Sequence, residues 1–208
     1  MPFVTFEGID ASGKTTQLTL LAEKLRIAGQ KVVCTREAGG TPLGMEIRQL
    51  VQVKHNMVIG TLAEALLYAA DRAQHLEEVV RPALESQVFV LSDRYVDSSL
   101  AFQSVNFDLE TVRQINQLAT AGLLPELTIL CDVDVETSRQ RLLLRDTAFD
   151  RIESRDWSYH LQVRKVFLQL AKEEPLRFIV VDGKESKETI AEVIWQQVQA
   201  RFRVGIAG

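Results

Sequence analysis

Cysteines, long apolar runs and surplus positive charge are all scarce in this sequence, and each scarcity removes a class of function. The 208 residues include only 2 cysteines. Cys34 and Cys131 lie inside apolar runs that read as buried strands, so both are expected to be reduced core residues rather than a disulfide or redox pair. No run reaches membrane-span length. The opening Met-Pro-Phe-Val lacks a basic n-region and polar Glu7 follows at once, so no signal peptide is expected and the cytosol is the default compartment. The formal net charge of −4 argues against an electrostatic nucleic-acid binder. The 3 histidines, His55, His75 and His160, show no metal-ligand spacing and read as surface or helix polar residues. No repeat of roughly 20–50 residues is visible, and the Asn-Lys-x-Asp string of a guanine-reading switch is absent.

What is present is an ordinary globular composition, 46% apolar and 25% charged, rich enough to build a core. Arginines gather at 139, 141, 145, 151 and 155. A local arginine cluster in a mildly acidic chain suits a small anionic ligand. Phe3–Phe6, Val32–Thr35, Val88–Leu91, Leu127–Val133 and Phe178–Val181 read as five strands, and their near-continuous apolar character predicts a parallel sheet covered on both faces. Leu18, Leu21, Leu25 and Ala28 mark one helix face that stops at Gly29. A second helical stretch runs from about Thr61 to Ser86 with Leu62, Leu66, Ala69, Ala73, Leu76 and Val80 inward, bent or restarted by Pro82. Two more helices carry Tyr159, Val163, Val166, Phe167 and Leu170, and Ile190, Val193, Ile194, Val198 and Phe202. This alternation predicts a three-layer α/β fold in a single domain spanning residues 1–208, with Val204–Gly208 as a loose tail.

Gly8-Ile9-Asp10-Ala11-Ser12-Gly13-Lys14-Thr15 fits G-x-x-x-x-G-K-[ST], with Thr16 following. Chance would produce this pattern in roughly one chain of this length in a hundred. Its place between the first strand and first helix makes it far more specific. Glycines let the backbone wrap phosphates, and amide N–H groups at the helix N-terminus point inward. Lys14 is expected to neutralise the β and γ phosphates of a nucleoside triphosphate, and Thr15 to offer its hydroxyl to Mg²⁺.

Further strings stand at strand ends or on the helices that follow: Thr35-Arg36-Glu37-Ala38-Gly39-Gly40-Thr41, Glu64 to His75, Asp93-Arg94-Tyr95 with Ser98-Ser99 and Ala101-Phe102-Gln103, and Asp150-Arg151-Ile152-Glu153. In open α/β sheets such segments converge beyond the carboxyl ends of the strands. In this order, and together with the P-loop, they closely resemble thymidylate kinase from Phe3 to about Val181.

The resemblance implies ATP-dependent phosphorylation of dTMP, a five-stranded parallel sheet, a mobile lid at about 139–155 and a homodimer. It implies that Asp10 accepts from the acceptor sugar hydroxyl, that Arg36 and Arg94 hold the acceptor phosphate, and that Asp93 helps place Mg²⁺. Tyr68 falls where the family stacks phenylalanine on thymine, and Arg72 where it reads the O4 carbonyl. Ser98 and Ser99 fall near the base N3 edge, and Phe102 against the sugar. From the residues alone, Tyr68 could be core, Arg72 could pair with Glu64 or Asp71, and Glu37 could contact the phosphate-binding arginines or only fix its loop.

Members divide over where the catalytic arginine sits. Ala11 follows Asp10 here, so this P-loop has no arginine, and the chain resembles the bacterial type that draws arginines from the lid. Arg141 and Arg145 are expected near the donor phosphates, with Arg151 also catalytic. The chain departs from the family at Ala38, where proline is usual, and after Gln103. A rival deoxynucleoside kinase would need a general base, for which Glu7 and Glu37 are the nearby candidates.

Overall fold

The computed structural model describes residues 2–53, 58–145 and 148–205. Five strands, β1 (Phe3–Glu7), β2 (Val32–Arg36), β3 (Phe89–Asp93), β4 (Leu127–Asp132) and β5 (Phe178–Asp182), form one sheet in the order β2-β3-β1-β4-β5. Every pairing is parallel. The five predicted strands are all present, and the sheet is parallel as expected.

Side chains alternate across each strand, so one strand feeds two cores. Val4 and Phe6 of β1 join Leu18, Leu21 and Leu25 of α1 (Lys14–Ile27) and Ile190, Ile194 and Val198 of α9 (Lys187–Phe202). Phe3 faces the other way, into a core with Leu100 and Phe102 of α5 (Val96–Gln103) and Val163, Phe167 and Leu170 of α8 (Trp157–Glu173). Thr5 and Glu7 follow Phe3 in that alternation and are fully buried. Thr5 pairs its hydroxyl with that of Thr128 at 3.0 Å, and Thr128 donates to Asp97 at 3.2 Å. Arg177 closes the group with a bidentate grip on Asp97, 2.6 and 2.8 Å. A buried acid held this way ties the start of α5 to the sheet.

The long helical stretch is α3 (Thr61–His75), a wider π-type turn over Leu76–Val80, and α4 (Arg81–Glu85) with Pro82 in its first turn. The restart at Pro82 is where proline is tolerated, because the first helical N–H groups have no partner within the helix. Of the apolar residues expected along this stretch, part is inward and part is not. Ala65, Ala69, Leu76 and Val80 are buried, whereas Leu62 and Leu66 are each 50% exposed. Helices α2 (Pro42–Gln52), α6 (Leu109–Thr120) and α7 (Val135–Leu143) complete the layers. Thr41 caps α2, and Asp108 and Asp134 cap α6 and α7, each by accepting from the backbone N–H three residues on.

Two expectations need correction. Cys34 is exposed, because β2 is an edge strand and only one of its long sides is covered; Cys131 is buried. Val204, assigned to a loose tail, is buried against the α1–α9 core; residues 206–208 lie outside the described residues. Of the two readings offered for the histidines, His75 takes the helix one, fully buried at the end of α3, and His55 lies outside the described residues. No described helix is long and apolar enough to cross a membrane.

Leu25 is fully buried between α1 and the sheet. Leu25→Ala is expected to lower stability by about 2–5 kcal/mol, read as a shift in the urea midpoint at unchanged m-value.

Candidate active site

The site begins where β1 ends. Gly8 takes φ +135°, and a Cβ there would lie 2.4 Å from the Cys131 carbonyl oxygen at the end of β4. Only glycine lets the loop lie this close to the neighbouring strand. Gly13, at φ +98°, then turns the chain into α1. Lys14 folds back over the loop and donates to the Ile9 carbonyl at 2.8 Å. Burial, and after it the Arg94 guanidinium, holds its pKa below the usual lysine value. A cavity of about 520 Å³ opens beside the loop, lined from Ala11 through Gln17 and, across it, by Arg141, Arg145, Gly183 and Lys187. Residues from the loop after β5 carry no motif and were missed in the sequence; only their position at a strand end hints at them.

Thr15 donates its hydroxyl to Asp93 Oδ2. The two residues assigned to Mg²⁺ are thus in contact although 78 positions apart. Both offer hard oxygen, the donor type Mg²⁺ takes alongside phosphate and water. Among the described residues no group of three or more His, Cys, Asp or Glu could hold a metal ion, so a Mg²⁺ here would take its further ligands from phosphate and water.

Arg94 stands between this loop and a second cavity. Its Nη1 donates to the Gly8 carbonyl (2.9 Å) and to Ser98 Oγ (3.0 Å), and its Nη2 to Asp10 Oδ1 (2.6 Å). Of the guanidinium's five N–H donors, these bonds take three, leaving two. Its plane lies over Phe102, 4.9 Å from the ring centroid. Burial works to raise the Asp10 pKa, but Arg94 and then Lys14 hold it below the usual carboxylate value.

The second cavity is lined by Asp10, Tyr68, Arg72, Arg94, Ser98, Ser99 and Phe102, with Glu37 and Gln103, and is roofed by Gln52, Asp150 and Ile152. Every residue assigned to the acceptor except Arg36 lines it. Arg36 is exposed at the end of the edge strand, in register with Asp93. The cavity is narrow, about 50 Å³, where one water needs about 10–15 Å³. The Tyr68 hydroxyl finds a partner in the Gln52 side chain, and burial pushes its pKa up to about 12.

Arg72 is almost wholly buried and pairs with neither Glu64 nor Asp71. Its Nε donates to Glu37 Oε2 (2.7 Å), Nη1 to Ser99 Oγ (2.9 Å) and to Asn116, and Nη2 to the Tyr95 carbonyl (3.0 Å). Four donors are used, and the fifth is left for a carbonyl in the cavity. Glu37 therefore fixes Arg72, and its other oxygen lies 2.7 Å from His75 Nδ1, while His75 Nε2 lies 2.7 Å from Thr35 Oγ1. His75 was missed, yet it sits one helical turn beyond Arg72, a spacing that could have linked them.

Ser98 and Ser99 differ. Ser98 gives its proton to Glu7 Oε2 at 2.6 Å, whereas Ser99 only accepts from Arg72 and keeps its proton. Glu7 also accepts from the Tyr95 N–H at 2.7 Å, and burial, with Asp97 adding to it, raises its pKa to about 8. Neither Glu7 nor Glu37 is free to act as the base that a nucleoside kinase would need.

The lid arginines divide. Arg141 donates to the Gly183 carbonyl (2.8 Å) and, more distantly, to the Ala11 carbonyl. Arg145 pairs with Glu153, and both Arg141 and Arg145 line the donor cavity. Arg151 does not join them. It lies on the acceptor side, paired with Glu64 and donating to the Val51 carbonyl at 2.7 Å. Arg139 lies over the Trp157 ring instead. Asp146 and Thr147, within the expected lid, lie outside the described residues.

Comparison with known proteins agrees with this geometry. The thymidylate kinase family model matches residues 6–194. The chain belongs to the thymidylate kinase family. It is 48% identical to a thymidylate kinase of Clavibacter michiganensis over 98% of this chain and 97% of that one. It is 44% identical to one of Sulfurihydrogenibium, over 96% and 97%. A solved thymidylate kinase structure from Ehrlichia chaffeensis superposes with a TM-score of 0.76 at 31% identity, covering 95% of this chain and 97% of that one. The chain is thus an ATP-dependent phosphotransferase acting on dTMP.

Asp71 supports the Glu37 loop by accepting from the Gly39 N–H at 2.9 Å, but its Oδ2 is buried without a partner. Burial, with the Glu37 charge adding, raises its pKa from 3.8 to about 6. Below the unfolded pKa both states hold the proton. Between pH 4 and 6 the folded state keeps it longer, so stability falls as pH rises through that window. Asp71→Asn is expected to flatten this fall and to gain up to about 3 kcal/mol on the wild type by pH 7. Urea midpoints of both proteins at pH 4.5 and 7.5 would check it.

Proposed function

We propose that the P-loop cavity holds ATP and the cavity beneath α3 holds dTMP, with the γ-phosphoryl group crossing at Arg94. The observation that carries this reading is the position of Arg94, bonded to the P-loop at Gly8 and Asp10, lining the acceptor cavity, and with two N–H donors unspent. Gly8, Ile9, Asp10, Ala11, Ser12, Gly13, Lys14, Thr15 and Thr16 cradle the triphosphate. Thr15 and Asp93 would hold Mg²⁺, which when bound neutralises charge on the phosphates.

On the acceptor side, Tyr68 faces the base, the free N–H of Arg72 and the free proton of Ser99 meet its polar edge, and Phe102 packs on the sugar. The acceptor phosphate oxygen attacks the γ-phosphorus in line. The bond to the β-phosphate oxygen breaks, and ADP leaves with that electron pair. The nucleophile is already anionic, so no base is needed, consistent with the engagement of Glu7 and Glu37. Catalysis is positioning and charge neutralisation by Lys14, Arg94, Arg141 and Arg145. This is the lid-arginine arrangement, with residues 139–155 as the lid of a single unit spanning 1–208. Arg36, exposed at the strand end, would reach the acceptor phosphate only once that phosphate is bound.

Lys14→Ala and Arg94→Ala are each expected to lower kcat by about 10²–10³-fold. Wild-type turnover against a panel of deoxynucleosides and monophosphates should be confined largely to dTMP. Transfer to nucleosides, or near-normal kcat in either variant, would overturn the reading.

A homodimer and a cytoplasmic setting belong to the same proposal. Exposed Leu43 and Leu50, seven residues apart on α2, and Leu62 and Leu66, four apart on the adjoining α3, offer apolar surface for a second copy. Leu62→Glu with Leu66→Glu is expected to shift the chain to monomer by sedimentation. An unchanged dimer would exclude this face.

A further inference from the structure

The second cavity is covered by Gln52 of α2 and by Asp150 and Ile152 of the lid, and the lid there meets a buried carboxylate. We propose that Glu64 is a positioning residue for the acceptor, acting as the anchor that holds lid residues 150–155 across α2 and α3. This rests on the assignment of the cavity to dTMP and adds a residue outside its lining.

The Glu64 side chain is only 4% exposed, and it receives two arginines from the lid. Arg151 Nη2 donates to Oε2, and Arg155 Nη2 lies 3.0 and 2.8 Å from Oε1 and Oε2. Arg151 also ties the lid to α2 through its Nε, bonded to the Val51 carbonyl, and its own N–H, 2.9 Å from the Gln52 carbonyl. Gln52 is part of the roof, as are Asp150 and Ile152 on either side of Arg151. Within the lid, Asp150 Oδ1 accepts from the N–H groups of Ile152 and Glu153, both 2.8 Å, which makes the turn rigid. Moving Arg151 therefore moves the whole roof.

The second arginine extends the anchor to the floor. Arg155 lies over the Tyr159 ring, 4.5 Å from its centroid. The Tyr159 hydroxyl donates to the Phe102 carbonyl at 3.0 Å, and Phe102 is the ring beneath Arg94. Glu64 thus reaches the roof through Arg151 and the wall below Arg94 through Arg155, while no contact of its side chain runs to the donor cavity. Two guanidiniums share one carboxylate, so removing its charge takes this counter-charge from both at once.

The test is steady-state kinetics of Glu64→Gln, which keeps the side-chain shape and removes the charge. The KM for dTMP is expected to rise about tenfold or more, with the KM for ATP within about twofold of the wild type and kcat reduced less than the dTMP KM is raised. Arg151→Gln with Arg155→Gln should reproduce the effect, and adding Glu64→Gln to that double variant should change little further. An unchanged dTMP KM in folded Glu64→Gln would overturn the proposal, as would a parallel rise in the ATP KM. If Glu64→Gln does not fold, the same two criteria apply to the double arginine variant, whose residues are more exposed. Wild-type turnover of dTMP, measured alongside, tests the cavity assignment separately from the anchor.

Discussion

Arg94 leaves the end of β3 at φ +74°, a left-handed conformation that costs an ordinary residue roughly 1–2 kcal/mol. Its surroundings supply what offsets this. The Arg94 N–H still reaches the Phe6 carbonyl of β1 at 3.0 Å, and Ser92 donates its hydroxyl to the Arg94 carbonyl at 2.8 Å. The next amide, that of Tyr95, has turned out of the ladder and is met by the Glu7 carboxyl. The kink aims the guanidinium sideways across the top of β1. There it bonds the P-loop on one side and rests on Phe102 on the other. The P-loop and the wall of the second cavity are therefore joined by one side chain and the backbone turn that aims it.

The sheet order explains why such a crossing is possible. With β1 between β3 and β4, the loop after β1 sits over the end of β4 while the turn after β3 folds back towards it. The alternation of β1 sends Glu7 to the α5 side, directly under Ser98 and Tyr95. Buried polar groups here are satisfied in chains, Thr5–Thr128–Asp97–Arg177 under α5 and Arg72–Glu37–His75–Thr35 beside it. Such networks are stiff because each member left unpaired would carry a desolvation cost. They hold Arg72 and Arg94 in position before any ligand arrives.

The lid behaves as two devices joined in sequence. Arg141 and Arg145 belong to the donor cavity, Arg151 and Arg155 to the acceptor roof. Four arginines alike in sequence thus divide by the partners they meet, backbone carbonyls for Arg141, Glu153 for Arg145 and Glu64 for Arg151 and Arg155. Glu64 stands about ninety positions from its partners, so no local pattern could pair them. Cys34 misled for a related reason, since an apolar run does not say whether its strand lies at the edge of a sheet.

Strand number, parallel pairing, the P-loop and most of the residues that line the second cavity were legible in the sequence, because each depends on short-range periodicity or on a motif whose spacing the chemistry dictates. Helices α2, α6 and α7 were not singled out, and the inward face of α3 was placed only in part, since Leu62 and Leu66 satisfy helical periodicity without being buried. Which arginine serves which cavity, how Glu37 and His75 brace Arg72, and which serine keeps its proton were decided only in the tertiary structure. Those outcomes depend on charges and hydrogen-bond donors brought together from distant segments. Sequence determines which groups the chain carries, but their pairing follows from the positions to which the sheet and its helices bring them.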